Sequence, residues 1–187
     1  MEDRSPNSQN PFSQLRYLAN DLRRIVNCRW WRWLTIWFTA SPYTLISYRL
    51  DRFGFLIFKT PWGVIRLLFF PLFLLFHLLG VHNEIHYSAD IGEGLLILHG
   101  NLGVVINGHA IAGKNLTLTG GNCIGGRKRL ERGDLVLGHD VSLGANAVVL
   151  GPVSVGNQVQ IGAGSVVIHD APDHCILVGV PARIVPS

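Results

Sequence analysis

Residues 137–167 read LGHDVS LGANAV VLGPVS VGNQVQ IGAGSV V, six residues to the unit without a slip. An aliphatic residue opens each unit, at Leu137, Leu143, Val149, Val155, Ile161 and Val167. Four positions on stands a small or β-branched residue: Val141, Ala147, Val153, Val159 and Ser165. Glycine follows the opener at Gly138, Gly144, Gly156 and Gly162. This period is neither that of an amphipathic helix nor that of an alternating strand. It is the pattern of a hexapeptide β-helix, in which each unit is one short strand and one turn. The opener is expected to point into the core and the small residue to fit the narrow corner. The glycine is expected to let the backbone bend.

Toward the N-terminus the ladder continues with interruptions. IHYSAD-IGEGLL-ILHGNL supplies the openers Ile85, Ile91 and Ile97; Gly103 then breaks the series, which resumes three residues late at Ile106, Ala112, Leu118 and Ile124. A second interruption, GGRKRLERGDLV over 125–136, carries Arg127, Lys128, Arg129 and Arg132. Insertions into a solenoid project from it and tend to carry function. The basic one reads equally well as a solvated projection. The segment DAPDHCILVGVPARIV closes the ladder.

Before residue 81 the composition is different. Seventeen of the eighteen Phe, Trp and Tyr residues lie there, with Tyr87 the exception, while eighteen of the 21 glycines lie after residue 80. Residues 1–80 carry a formal +6 and the remainder −2, so the net +4 conceals a basic, aromatic front half. Its aromatics sit in apolar runs rather than among Lys/Arg clusters, which argues for a membrane surface over nucleic acid. Residues 1–12 read as a disordered tail and 13–81 as a helical, membrane-associating region; 82–187 form the β-helix domain. Leu15, Leu18, Leu22 and Ile25 recur at helical spacing, and CRWWRWLTIWF brings Trp30, Trp31, Trp33 and Trp37 beside arginines, as in the headgroup zone of a bilayer. A packed helical cap is the competing reading. A second helical stretch runs from Ser41 to about Arg52. The apolar run from Trp62 to Leu79 has nearly the length of a membrane span, but Arg66, Pro71 and His77 interrupt it. A broken helix lying in one leaflet or in the interface is expected, with a true span or an oligomer interface as alternatives. The expected location is the cytoplasmic face of the plasma membrane, peripheral or monotopic. Nothing at the N-terminus reads as a signal peptide. Cys28, Cys123 and Cys175 are far apart, odd in number and free of any CxxC pairing, which argues against a disulfide framework or a zinc site.

From Glu84 onward the chain resembles the hexapeptide-repeat acyltransferases, particularly the serine acetyltransferase branch and enzymes of the polysaccharide O-acetyltransferase type. EIHYSADIGEG, the LHG around His99, GVVING, CIGG, LGANAVVLG, IGAGSVV and VGVPARIV carry the likeness. The resemblance implies a left-handed parallel β-helix, a homotrimer, and acetyl-CoA bound between subunits with no metal. It places the catalytic base at His99 and an orienting carboxylate at Glu84, where the family usually has aspartate. Fifteen residues separate the two, three short of a full coil, which puts Glu84 on a neighbouring coil. Neutral imidazole suits the removal of a proton from a hydroxyl attacking a thioester, and an adjacent carboxylate would fix its tautomer. A backbone N–H near Gly125 is the expected oxyanion donor. By the same resemblance, acetyl-CoA would lie along one edge of the late coils, on Ala145, Ala163, Ile168 and His169, with Arg183 meeting a phosphate. His99 is expected on one flank and this edge on another, so that a cleft between subunits joins them.

For the acceptor, a sugar hydroxyl on a lipid-linked or nucleotide-linked precursor of a surface polysaccharide is the main expectation. Serine, a non-catalytic trimeric scaffold and a zinc hydratase are the alternatives. Three departures motivate the sugar. Serine acetyltransferases carry an aspartate where this chain has Leu98. They carry an arginine–histidine pair where it has Gly133 and Asp134. Their long helical N-terminal domain is replaced here by a shorter, membrane-like segment.

Overall fold

The computed structural model describes residues 7, 9–27, 29–80 and 83–185. Cys28, Val81 and most of the expected tail, residues 1–6 and 8, lie outside them.

Among the described residues fourteen short strands wind into a three-sided parallel solenoid, each full coil giving one strand to each face. The first sheet holds β1 (Asn83–Ile85), β4 (Val104–Ile106), β7 (Asn122–Gly126), β10 (Val148–Gly151) and β13 (Val166–Val167). The second holds β2 (Asp90–Ile91), β5 (Ala110–Ala112), β8 (Leu135–Leu137) and β11 (Val153–Val155). The third holds β3 (Leu96–Ile97), β6 (Thr117–Leu118), β9 (Ser142–Leu143), β12 (Gln160–Ile161) and β14 (Ile176–Gly179), and ends on the antiparallel β15 (Ala182–Val185). Openers pair with openers: Ile85 with Ile106, Ile106 with Ile124, Ile124 with Val149, Val149 with Val167. The openers and the small corner residues, from Leu137 to Val167, are all buried. Burying this aliphatic column supplies most of the driving force for the coil, on the order of 1.5–3 kcal/mol for each large side chain.

The glycines after the openers have a different job from the one expected. Gly138 and Gly144 do not take positive φ. A Cβ on Gly144 would stand 2.5 Å from the backbone N of Ala163 in the next coil, and one on Gly138 would stand 2.7 Å from the backbone of Gly156. They permit close stacking of coils. The bend itself is taken by Asn115, Asp140, Asn146, Gln158 and His174, all in the left-handed region at φ between 55° and 61°; Asn and Asp tolerate that region better than most residues.

The helical region packs on the first coils. Helix α1 (Ser13–Val26) ends at Asn27; after it come α2 (Arg32–Thr35) and a 3-10 turn, Ile36–Phe38. Helix α3 spans Ala40–Phe58, longer than the expected 41–52. Then follow α4 (Trp62–Ile65), a 3-10 segment Arg66–Phe69 and α5 (Phe70–Gly80). Pro71 sits in the first turn of α5, where its missing N–H costs nothing; the break comes one turn earlier. Of the leucine stripe on α1, Leu18, Leu22 and Ile25 pack on the core while Leu15 is half exposed, and the buried face also takes Gln14, Tyr17 and Asp21. Polar residues face inward because α3 presents Arg49 there. Its guanidinium meets Asp21 at 2.8 Å, Gln14 at 3.2 Å, and the carbonyls of Ile91 and Gly92 at 2.7 Å each. Asp21 in turn accepts the N–H groups of Gly94 and Leu95. Burial alone would disfavour charge on Arg49, yet the Asp21 carboxylate leaves its pKa above the ordinary value. The described part of the expected tail is docked rather than free, with Asn7 and Gln9 donating to the buried Asp90.

Candidate active site

His99 follows β3 at the corner where the third sheet turns into the first. Its backbone N–H donates to the Thr119 carbonyl at 3.0 Å, and that of Thr119 to Leu143 at 3.0 Å. The line continues through Gly144 to Ile161 and Gly162 to Leu177, each at 2.8 Å. One corner therefore carries His99, then Thr119 and Gly120, then Ala145, then Ala163, with adjacent coils about 4.8 Å apart. Arg183, register partner of Val178 on the last strand, ends this line and is exposed. The expectation that His99 and the Ala145–Ala163 edge occupy separate flanks is thus corrected: they share one edge of one chain. Gly120 (φ 132°) makes the stacking possible, because a Cβ there would stand 2.6 Å from the His99 carbonyl oxygen.

The other expected site residues are placed differently. Ile168 and His169 follow β13, across the first sheet from Ala145 and Ala163, because a whole strand intervenes. Ala145 gives its carbonyl to the Gly164 N–H at 2.8 Å, so that oxygen is already engaged. Ala163 is exposed. Gly125 lies within the β7–β10 ladder opposite Leu150, several residues beyond the corner and two coils from His99. That position does not put its N–H beside the imidazole of the same chain.

Glu84 and His99 belong to the same coil, which Glu84 opens and His99 closes, so the neighbouring-coil placement is corrected as well. Fifteen residues is the run from the first strand of a coil to its last corner, and the insertion of residues 100–102 comes only after His99. Both side chains are exposed, and no hydrogen bond or salt bridge joins them among the described residues. Their neighbours are joined: Asn83 donates from Nδ2 to the Gly100 carbonyl at 2.9 Å and to Thr44 Oγ of α3 at 2.9 Å. Gly100 itself packs so closely on Ser41 that a Cβ would meet the Ser41 backbone N at 2.9 Å.

Sequence patterns did not reveal a cavity of about 330 Å³ that reaches Leu98, the residue before His99, because helical and solenoid residues distant in sequence form it together. Leu96, Ile97 and Leu98 border it on the solenoid side, with Arg24, Arg32 and Ser41 on the helical side. Arg24 is held by the carbonyls of Gly94 and Leu116 and by Thr117 Oγ; burial lowers its pKa, so it gains from any anion placed nearby. Arg32 makes no salt bridge among the described residues. Ser41, at the first turn of α3, is buried and its hydroxyl has no hydrogen-bond partner among the described residues. The α3 N-terminus adds its own partial positive charge.

The basic interruption is not simply solvated. Leu130 is buried, and Arg132 folds back to pair with Asp90 at 3.1 Å. Among the described residues no three His, Cys, Asp or Glu side chains gather in a metal-holding cluster.

A family model described as bacterial transferase hexapeptide (six repeats) matches residues 134–169. The apoenzyme structure of soybean serine acetyltransferase superposes with a TM-score of 0.69 at 30% identity, covering 92% of this chain and 69% of that one. The chain belongs to the hexapeptide-repeat transferase family. Within that family it is 43% identical over 103 residues to a serine acetyltransferase of Synechococcus elongatus, covering 54% of this chain and 42% of that protein. It is 41% identical over 101 residues to a putative colanic acid biosynthesis acetyltransferase of Escherichia coli, covering 54% and 62%. This hexapeptide-repeat transferase thus spans less than two thirds of the curated relatives it matches. The expectation of a sugar acceptor is corrected by these relatives. The cyanobacterial sequence and the soybean structure are both serine acetyltransferases, and they favour the serine alternative.

Proposed function

We propose that this chain transfers the acetyl group of acetyl-CoA to the hydroxyl of serine, with His99 as general base. The observation that carries the reading is the position of His99, which heads the corner line of Ala145 and Ala163 and follows directly on Leu98 of the cavity's lining. Pantetheine would run along that line, pairing an amide with the exposed backbone of Ala163, and Arg183 would meet a phosphate at its far end. Serine would enter the cavity with its carboxylate toward Arg24, Arg32 and the start of α3. These groups supply the cationic contact that is missing at Gly133 and Asp134.

The imidazole of His99 takes the hydroxyl proton as the oxygen attacks the thioester carbonyl. Collapse of the tetrahedral intermediate breaks the carbon–sulfur bond, and the imidazolium returns the proton to the departing CoA thiolate. General base action of this kind is worth about 10²–10⁴-fold in rate. Among the described residues no acidic side chain lines the cavity, so the ammonium of serine would be paired less well than its carboxylate.

Assembly as a homotrimer belongs to the same reading. The outward row of the first sheet runs Glu84, Val105, Cys123, Val148, Val166 in register, whereas that of the third sheet runs Leu96, Thr117, Ser142, Gln160, Ile176. Val105 is exposed beside Glu84. An apolar row on one face of a solenoid favours burial against another copy.

The test is CoA release by the purified protein with L-serine and with nucleotide-linked sugars as acceptors. Saturable turnover with serine is expected, and Arg32→Ala should raise the serine KM by roughly tenfold or more, as loss of a charged hydrogen bond does. No turnover with serine alongside rapid acetylation of a sugar would overturn the reading.

A further inference from the structure

Two stretches of the helical region remain uncovered. In the α2 segment Trp30 is 76%, Leu34 70% and Phe38 88% exposed, and in the later segment Leu68 is 80% exposed, with Leu75 and Leu78 also exposed. The chain path brings these stretches together. Helix α3 begins directly after Phe38, and α5 packs along α3. By Asn83 the chain is back at Thr44, in the second turn of α3. The end of α5 therefore lies near the end of the tryptophan segment.

The charge around this surface is one-sided. Between Leu22 and Asn83 the only acidic residue is Asp51. It is 4% exposed, accepts a hydrogen bond from Trp62 Nε1 at 2.7 Å and pairs with Arg66 at 3.0 Å. Arg29 and Lys59 are exposed at the margins. So many large exposed apolar side chains on neighbouring stretches are uncommon without a partner. Tryptophans beside cations, with no exposed acid between Leu22 and Asn83, match the boundary of an anionic bilayer better than a protein surface. Among the described residues no helix is long and apolar enough to cross a membrane, so the fit is to the surface of one leaflet.

We propose that the α5 face and the α2 segment dock this chain onto an anionic lipid surface. The proposal is argued separately from the acyl-transfer reading and rests on residues other than Arg32, which the α2 segment carries but which lines the cavity.

Flotation of the full chain with phosphatidylcholine vesicles, with and without phosphatidylglycerol, tests it. Wild type should float with the phosphatidylglycerol vesicles, and added salt should weaken this. The double variant Leu68→Glu/Leu75→Glu changes exposed positions only and should lower bound protein by at least about tenfold. Arg29→Gln/Lys59→Gln should remove most of the preference for phosphatidylglycerol. Absence of flotation on either vesicle would overturn the proposal, as would binding indifferent to the glutamates. A fall in particle mass for the glutamate variant, with no lipid binding by wild type, would assign the face to a second copy instead.

Discussion

Asn83 reaches across the corner insertion to hydrogen-bond the carbonyl of Gly100 at 2.9 Å. The contact ties the strand that bears Glu84 to the residue after His99. The same side chain also holds Thr44 of α3, so the helical region helps fix the His99 corner.

Asn83 is accordingly a positioning residue. Asn83→Ala removes the contacts to both Gly100 and Thr44 and should lower kcat by about 3- to 10-fold through the looser His99 corner, while the KM for acetyl-CoA changes little. Steady-state kinetics with both substrates separates this from a loss of folded protein, which would lower apparent kcat without altering the pH profile of the remaining activity.

Glu93 clasps α1 to the solenoid and should make that clasp sensitive to acid. It accepts from Lys114 at 2.9 Å and from Asn20 of α1 at 2.8 Å, and the lysine holds its pKa below the ordinary value. A carboxylate whose pKa is lower folded than unfolded stabilises the fold above its unfolded pKa. That contribution fades as pH falls through the folded value. Thermal melts should therefore lose stability below about pH 4.5, and Glu93→Gln should flatten this part of the profile. An unchanged acid limb would show that Glu93 does not contribute.

The apolar outward row of the first sheet predicts where copies meet. Val148→Glu would place a charge in the middle of that row, and burying an unpaired charge is prohibitive. Light scattering should give three chains for wild type and a smaller particle for the variant. A wild-type mass of one chain with activity intact would contradict the assembly.

The solenoid was legible because every opener and every small corner residue faces one continuous core, leaving an unbroken period in the sequence. Leu143, Val149 and Val155 could hardly be read otherwise. A period cannot distinguish a bend from close stacking at Gly144; only the approach of the Ala163 backbone decides it. His99 stood out through its surroundings in sequence. Its sharing a corner with Ala145 and Ala163 depends on the lengths of two insertions and emerges only in three dimensions. The cavity was invisible for a similar reason: Arg24, Arg32 and Ser41 meet Leu98 through the packing of α1 and α3. That packing turns on a buried polar cluster around Arg49, which a search for apolar stripes on α1 passes over.

The central claim is that His99 removes the proton from the acceptor hydroxyl. CoA release from acetyl-CoA with saturating L-serine, measured for wild type and His99→Ala, tests it most directly, with CoA affinity followed in parallel by calorimetry. The account predicts a fall of about 10²–10⁴-fold in kcat with CoA binding and the thermal melt nearly unchanged. Turnover by His99→Ala within a few-fold of wild type would contradict it.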